Sequence, residues 1–172
     1  MAEATRMVVI GVGNEFRHDD GVGWTVIARL AELGTACPLP PGAALATCDG
    51  DPGRLLGLWE DTELAVVIDA AYTEPSSPGR VHRLVLESAR PARTGTTSSH
   101  GLGLGEAIEL SSVLGRLPGR LVVYAVEGAD RTLGTGLTEP VAARVEELAH
   151  AVREELTRYG SGTKPDKRED RP

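Results

Sequence analysis

A short apolar run, Met7-Val8-Val9-Ile10, is cut off by Gly11-Val12-Gly13-Asn14, and a helical pattern takes over near Gly21. No other stretch constrains the fold as much. A β-branched run of this length, bounded by glycines, predicts a strand buried on both faces. Val22, Val26, Leu30 and Leu33 then recur at helical spacing, so a helix is expected from about Asp20 to Leu33, with Gly34 as its stop. A strand that feeds a helix through a glycine turn opens an α/β sheet, and such sheets collect ligands at the carboxyl ends of their strands. The acidic pair Asp19-Asp20 falls at that end.

The remaining pattern extends the same theme. Strands are expected over Ala43–Thr47, Leu64–Ile68, Val81–Leu86 and Leu121–Val126, with Asp69 ending the third. Asp51-Pro52 offers a side-chain cap followed by a proline in the first turn, which starts a helix whose buried side is Leu55, Leu56 and Trp59. Further helices are expected from Gly103 to Leu114 and from Glu139 to Tyr159, the last capped by Thr138. Tyr72–Gly79 is too short for a crossover helix, so the third and fourth strands should run antiparallel, the fourth at an edge. This order predicts an α/β fold: a three-layer α/β/α sandwich around a mixed, mostly parallel five-stranded sheet. One domain is expected over residues 1–159. The last residues, 160–172, lack core formers and are expected to be disordered. Ser88–Ser99 reads as a surface loop.

Charge and cysteines exclude several functions. With 18 basic against 25 acidic residues the chain has no basic stripe for nucleic acid. The first apolar run is too short for a membrane span or a signal peptide, so a cytoplasmic protein with no membrane partner is expected, a monomer by default. Cys37 and Cys48 form no C-x-x-C pair, and reduced, inert thiols are expected.

Three groups sit where strands end or helices begin: Asp20 (with Asp19 beside it), Asp69 and His100. Two carboxylates and an imidazole suit nickel, zinc, manganese or iron(II), with open positions for a substrate. Each group also has an ordinary structural use. Asp20 can cap a helix, Asp69 a turn, and His100 can be a solvated histidine. Gly11-x-Gly13 also invites a dinucleotide, with Asp49 as the ribose acid. Phe16 stands where a third glycine would be, and the helix begins too late to hold a pyrophosphate.

The segments GVGNEFRHDDGVG, VVIDAAY and SSHGLGL, and the later YAVEGADRTLGTGLTEPV, together resemble the hydrogenase maturation endopeptidases, which process the large subunit of nickel–iron hydrogenases. The resemblance spans roughly Met7 to Leu156. It implies a twisted five-stranded sheet between helical layers. It also implies three metal-contacting residues: Asp20, Asp69 and His100. Some members carry Glu at the first of these positions. Their second strand usually ends in an Asp-Gly-Gly-Thr-like turn, where this chain has Asp49-Gly50-Asp51-Pro52.

The function implied is removal of a C-terminal extension from a hydrogenase large-subunit precursor after nickel insertion. Nickel would be carried by the substrate, and zinc or cadmium could occupy the site in vitro. Asp20, Asp69 and His100 are the expected catalytic residues, with Asp19 as a further candidate for the base. Two alternatives share the same residues: a protein that inspects nickel loading without cutting, and a general metallopeptidase or amidase.

Overall fold

The computed structural model describes residues 4–87 and 102–162. Five strands form one sheet in the order β2-β1-β3-β5-β4. They are β1 (Met7–Val12), β2 (Ala43–Cys48), β3 (Leu64–Ala71), β4 (Val81–Glu87) and β5 (Arg120–Glu127). β1 pairs in parallel with β2 and β3, and β3 in parallel with β5. β4 is antiparallel, and its partner is β5, not the β3 that precedes it in sequence. The mixed sandwich expected from the sequence is therefore the fold observed.

Alternation along the central strands assigns the two faces. Val9, Val66, Ile68 and Val122 face one layer, where α1 (Val22–Ala36) and α5 (Val145–Gly160) bury Val26, Leu30, Val152 and Leu156. Val8, Ile10, Val67 and Val123 face the other, where α2 (Pro52–Trp59) and α3 (Leu102–Leu114) bury Leu55, Trp59, Leu104 and Ala107. The Trp59 indole N–H donates to the Ser111 hydroxyl at 3.0 Å, locking α2 to α3 within this second layer.

Several boundaries differ from expectation. β3 continues two residues past Asp69, so Asp69 lies inside the strand, opposite Ala125 of β5. α1 passes through Gly34 and ends at Ala36, where Cys37 takes extended backbone at φ −130 and ψ 95. The final helix is two: α4 (Glu139–Ala142) and α5, separated at Ala143-Arg144. Thr138 precedes α4 but makes no side-chain cap, since its hydroxyl is bonded to Asp19. The Asp51 cap is present, with its Oδ1 accepting from the Arg54 amide at 2.9 Å. Both cysteines are free. Among the described residues no helix is long and apolar enough to cross a membrane. The Ser88–Ser99 segment, His100 and the tail from residue 163 lie outside the described residues.

The β1–α1 junction depends on backbone-to-backbone packing. A Cβ at Gly11 would stand 2.4 Å from the Gly23 carbonyl oxygen, and one at Gly23 would stand 2.5 Å from the Ile68 carbonyl oxygen and 2.8 Å from the Val12 nitrogen. These neighbours are backbone atoms, so neither position can yield cheaply. Gly23→Ala should cost about 3 kcal/mol in urea unfolding, the upper range for overpacking a core. Gly57→Ala, on an open face of α2 with nothing near the added methyl, should instead gain about 0.5–1 kcal/mol from helix propensity.

Candidate functional site

The carboxyl ends of β1 and β3 lie side by side, with Gly11 in register with Ile68. After β1 the chain turns at Gly13, whose φ of +130 is open to glycine, and where a Cβ would stand 2.0 Å from the Asp20 carbonyl oxygen. A 3₁₀ turn over His18–Gly21 then leads into α1 and carries both acids of the pair. The two have opposite surroundings.

Asp19 is fully buried. Its Oδ2 accepts from the amides of Ala129 and Asp130 at 2.8 and 3.0 Å, and its Oδ1 from the Thr138 amide at 2.8 Å. The Thr138 hydroxyl lies 3.0 and 2.8 Å from Oδ1 and Oδ2, sharing its one proton between them. Burial alone would raise its pKa, but the donors from Ala129, Asp130 and Thr138 outweigh it and hold the carboxyl below its ordinary value. None of these donors belongs to the helix that follows. Asp19 instead ties the first loop to the loop after β5, more than a hundred residues on. A carboxylate so held is a poor proton acceptor.

Asp20 is only partly buried, and the one described bond to its carboxylate comes from the Asn14 amide, at 2.9 Å to Oδ2. Asp69 is 4% exposed. Burial, and then the negative charge of Asp20, push its pKa up to about 8, against the lowering effect of the Ala70 amide. The structure thus brings Asp20 and Asp69 within electrostatic reach at one rim. By strand alternation Asp69 shares the face of Ala65 and Val67, the α2/α3 side of the sheet.

α3 begins on that side and at that rim. A Cβ at Gly103 would stand 1.8 Å from the Gly50 carbonyl oxygen, and Gly50 follows the end of β2 with a φ of +95. The first turn of α3 therefore rests on the β2–α2 turn, next to the end of β1. His100 itself is outside the described residues, and among those described no group of three His, Cys, Asp or Glu side chains is arranged to hold a metal. His18 lies apart from the pair. Its Nδ1 is 3.0 Å from the Gly136 carbonyl and its φ is +44.

The structure also adds residues that spacing did not single out. Tyr72 follows β3, and its ring lies where a Cβ on Gly128 would come within 2.7 Å of Cε1 and 3.1 Å of the Asp19 Cβ. The Arg131 guanidinium stands over that ring at 5.0 Å. Burial, followed by the charges of Asp20 and Asp19, raises the Tyr72 hydroxyl's pKa, so it stays protonated within reach of those charges. The only sequence signal was the position of Tyr72, three residues beyond Asp69.

Comparison with known proteins gives consistent matches. A family model described as hydrogenase maturation protease matches residues 50–155. The hydrogenase 2 maturation protease of Escherichia coli (strain K12) is 26% identical over 156 residues, covering 90% of this chain and 93% of that protein. The hydrogenase expression/formation protein HupD of Rhodobacter capsulatus is 28% identical over 153 residues, covering 87% and 70%. Among solved structures, the hydrogenase maturating endopeptidase HybD from E. coli superposes with a TM-score of 0.71 at 26% identity, over 91% of this chain and 94% of that one. The HybD protease from Thermococcus kodakarensis, at 22% identity and a TM-score of 0.65 over 88% and 99%, shares the fold.

Asp19 gives a stability test with a definite sign. Its folded pKa is below its unfolded value, so its contribution is present above about pH 4 and is lost as pH falls through the folded pKa. Asp19→Asn should cost on the order of 3 kcal/mol at pH 7, as loss of a charged acceptor for several buried donors. In urea unfolding the gap between the two proteins should close as the pH drops below 4.

Proposed function

The chain belongs to the hydrogenase maturation protease family of endopeptidases, and on that premise we propose that it cuts the C-terminal extension from a nickel–iron hydrogenase large-subunit precursor once nickel is in place. Asp20, Asp69 and His100 meet the precursor's nickel, which is part of the substrate. The single observation that carries this assignment is the pairing of Asp20 with Asp69. A buried carboxyl facing a second carboxylate is costly to ionise, and a cation between them removes that cost.

The donor set fits such an ion. Oxygen ligands from two carboxylates plus one imidazole suit a borderline metal and leave positions for the substrate's own ligands. Support for His100 comes from its place in the sequence. Asp69 is on the α2/α3 face, and α3, which begins two residues after His100 in sequence, has its first turn at the same rim. An unloaded precursor lacks the cation that these two acids bind, so it is held poorly. That gives cleavage a dependence on metal insertion.

The other residues divide the remaining work. Asp19 holds the loop after β5 in position and takes no part in proton transfer, because its oxygens are saturated by donors. Tyr72 keeps its proton and presents a hydroxyl beside the carboxylates, at the end of a stacked Arg131. A bound metal would polarise the scissile carbonyl. The chain's contribution is to fix the precursor's metal centre against a rim built on the ends of β1 and β3.

Purified protein incubated with nickel-loaded precursor should shorten the large subunit, detected by intact mass, and should leave nickel-free precursor uncut. Asp69→Asn and His100→Ala should each lower the rate at least a hundredfold, because each removes a contact to the metal centre. An unchanged precursor mass with bound protein would point to a loading checkpoint. Equal cleavage of short peptides lacking nickel would point to a general peptidase.

A further inference from the structure

Two loops meet beside the carboxylates to form a rigid, partly apolar lip. The Phe16 carbonyl accepts from the Gly134 amide, the His18 amide donates to the Gly134 carbonyl, and the Asp19 amide donates to the Asp130 carbonyl, each at 2.9 Å. Arg17 and Gly134 form a parallel bridge. The backbone there is fixed by special conformations, with His18 at a φ of +44 and Gly134 at +147. A Cβ on Gly134 would stand 2.2 Å from the His18 Nε2, so the ring packs directly on that glycine. Asp19 then anchors the far strand of the ribbon through Ala129, Asp130 and Thr138.

On this fixed ribbon two large apolar side chains face water. Phe16 is 60% exposed and Leu133 is 78% exposed. Phe16 is the chain's only phenylalanine, yet it is spent on a loop tip and not in the core. Loops held this firmly have no need of an exposed aromatic for their own stability, and apolar groups on a rigid rim mark contact with another molecule.

Charge narrows the class of partner. Arg17 and Arg131 are both exposed and flank the apolar pair. No ion pair holds either of them among the described residues, whereas Arg29, Arg83, Arg120 and Arg144 are each paired with a glutamate. The lip's own acids do not neutralise them. Asp130 is turned back onto the Thr132 amide and hydroxyl at 2.8 and 2.7 Å, and Glu15 lines a neighbouring pocket of about 490 Å³ together with His18, Leu137 and Val145. Arg131 also connects the lip to the site, through its stack on Tyr72.

We propose that the Phe16/Leu133 lip, flanked by Arg17 and Arg131, is the docking surface for a segment of the large-subunit precursor that carries an apolar side chain next to an acidic one. This rests on the function proposed above. It assigns substrate selection to the lip and metal recognition to Asp20 and Asp69, so the two should separate in kinetics. Phe16 and Leu133 cover the apolar side chain, Arg17 meets the carboxylate, and the extension then runs past Tyr72 to the carboxylates.

The test is steady-state cleavage of nickel-loaded precursor by wild type, Phe16→Ser/Leu133→Ser and Arg17→Glu. Each variant should raise KM about tenfold with kcat within about twofold, and precursor binding measured by calorimetry should weaken by the same factor. Melting temperatures should match wild type, since these side chains are exposed. A precursor whose acidic residue near the extension is changed to Lys should recover most of the loss in Arg17→Glu. Unchanged KM and binding in both variants, with an active wild type, would overturn the docking surface and leave the proteolytic function standing. A change in oligomeric state on Phe16→Ser/Leu133→Ser would overturn it in favour of self-association. A wild type that neither binds nor cuts the precursor would overturn both.

Discussion

The site depends on one close approach of backbone to backbone. α1 starts directly over the ends of β1 and β3, because Gly11 and Gly23 leave no side chain between helix and sheet. With a methyl at either position the helix would be lifted off the strands, and the turn carrying Asp20 would rise with it. The distance between Asp20 and Asp69 is thus set by two glycines that have no chemistry of their own. Close approach of helix to sheet accounts for these glycines of the first loop. The loop is shaped for contact between helix and sheet.

Neighbouring acids have been given contrary tasks by their surroundings. Asp19 is saturated with donors and held ionised, and it binds together the two loops that border the site. Asp20 is more open, with Asn14 as its described partner, and its charge acts on Asp69 across the rim. The same side-chain type serves as a fixed structural anion in one position and, as proposed, as a metal contact in the next. Burial and donor count decide which. Thr138 follows the same logic: an expected helix cap is diverted to Asp19, and the helix after it starts as a short α4 before α5 resumes.

Local signals in the sequence carried the fold well. The β-branched runs marked the strands, Asp51-Pro52 marked a helix start by a cap that is present, and the short Tyr72–Gly79 link pointed to the one reversed strand. What the sequence hid were interactions between distant segments. Nothing near Asp19 announces that its donors are Ala129, Asp130 and Thr138. β3 runs past Asp69 because β5 offers it partners to Glu127, a pairing that an apolar run ending at Ile68 does not reveal. The reversed β4 lies against β5 and not β3, since sheet order is settled by packing across the whole domain. Tyr72, Arg131 and Gly128 form one cluster only after the chain has folded. The carboxylate pair was legible as residues near the ends of elements, and the action of the Asp20 charge on Asp69 was not.

Asp20 and Asp69 are proposed to share one cation, with His100 as the third ligand. Crystals grown at pH 8.5 with cadmium, measured for anomalous scattering, test it most directly. Above the raised pKa of Asp69 both carboxylates are free to bind. One dominant anomalous peak is expected within coordination distance of an Asp20 oxygen, an Asp69 oxygen and a His100 ring nitrogen, lost in Asp69→Asn. A dominant peak elsewhere, or one at Asp20 that is unaffected by Asp69→Asn, would contradict it.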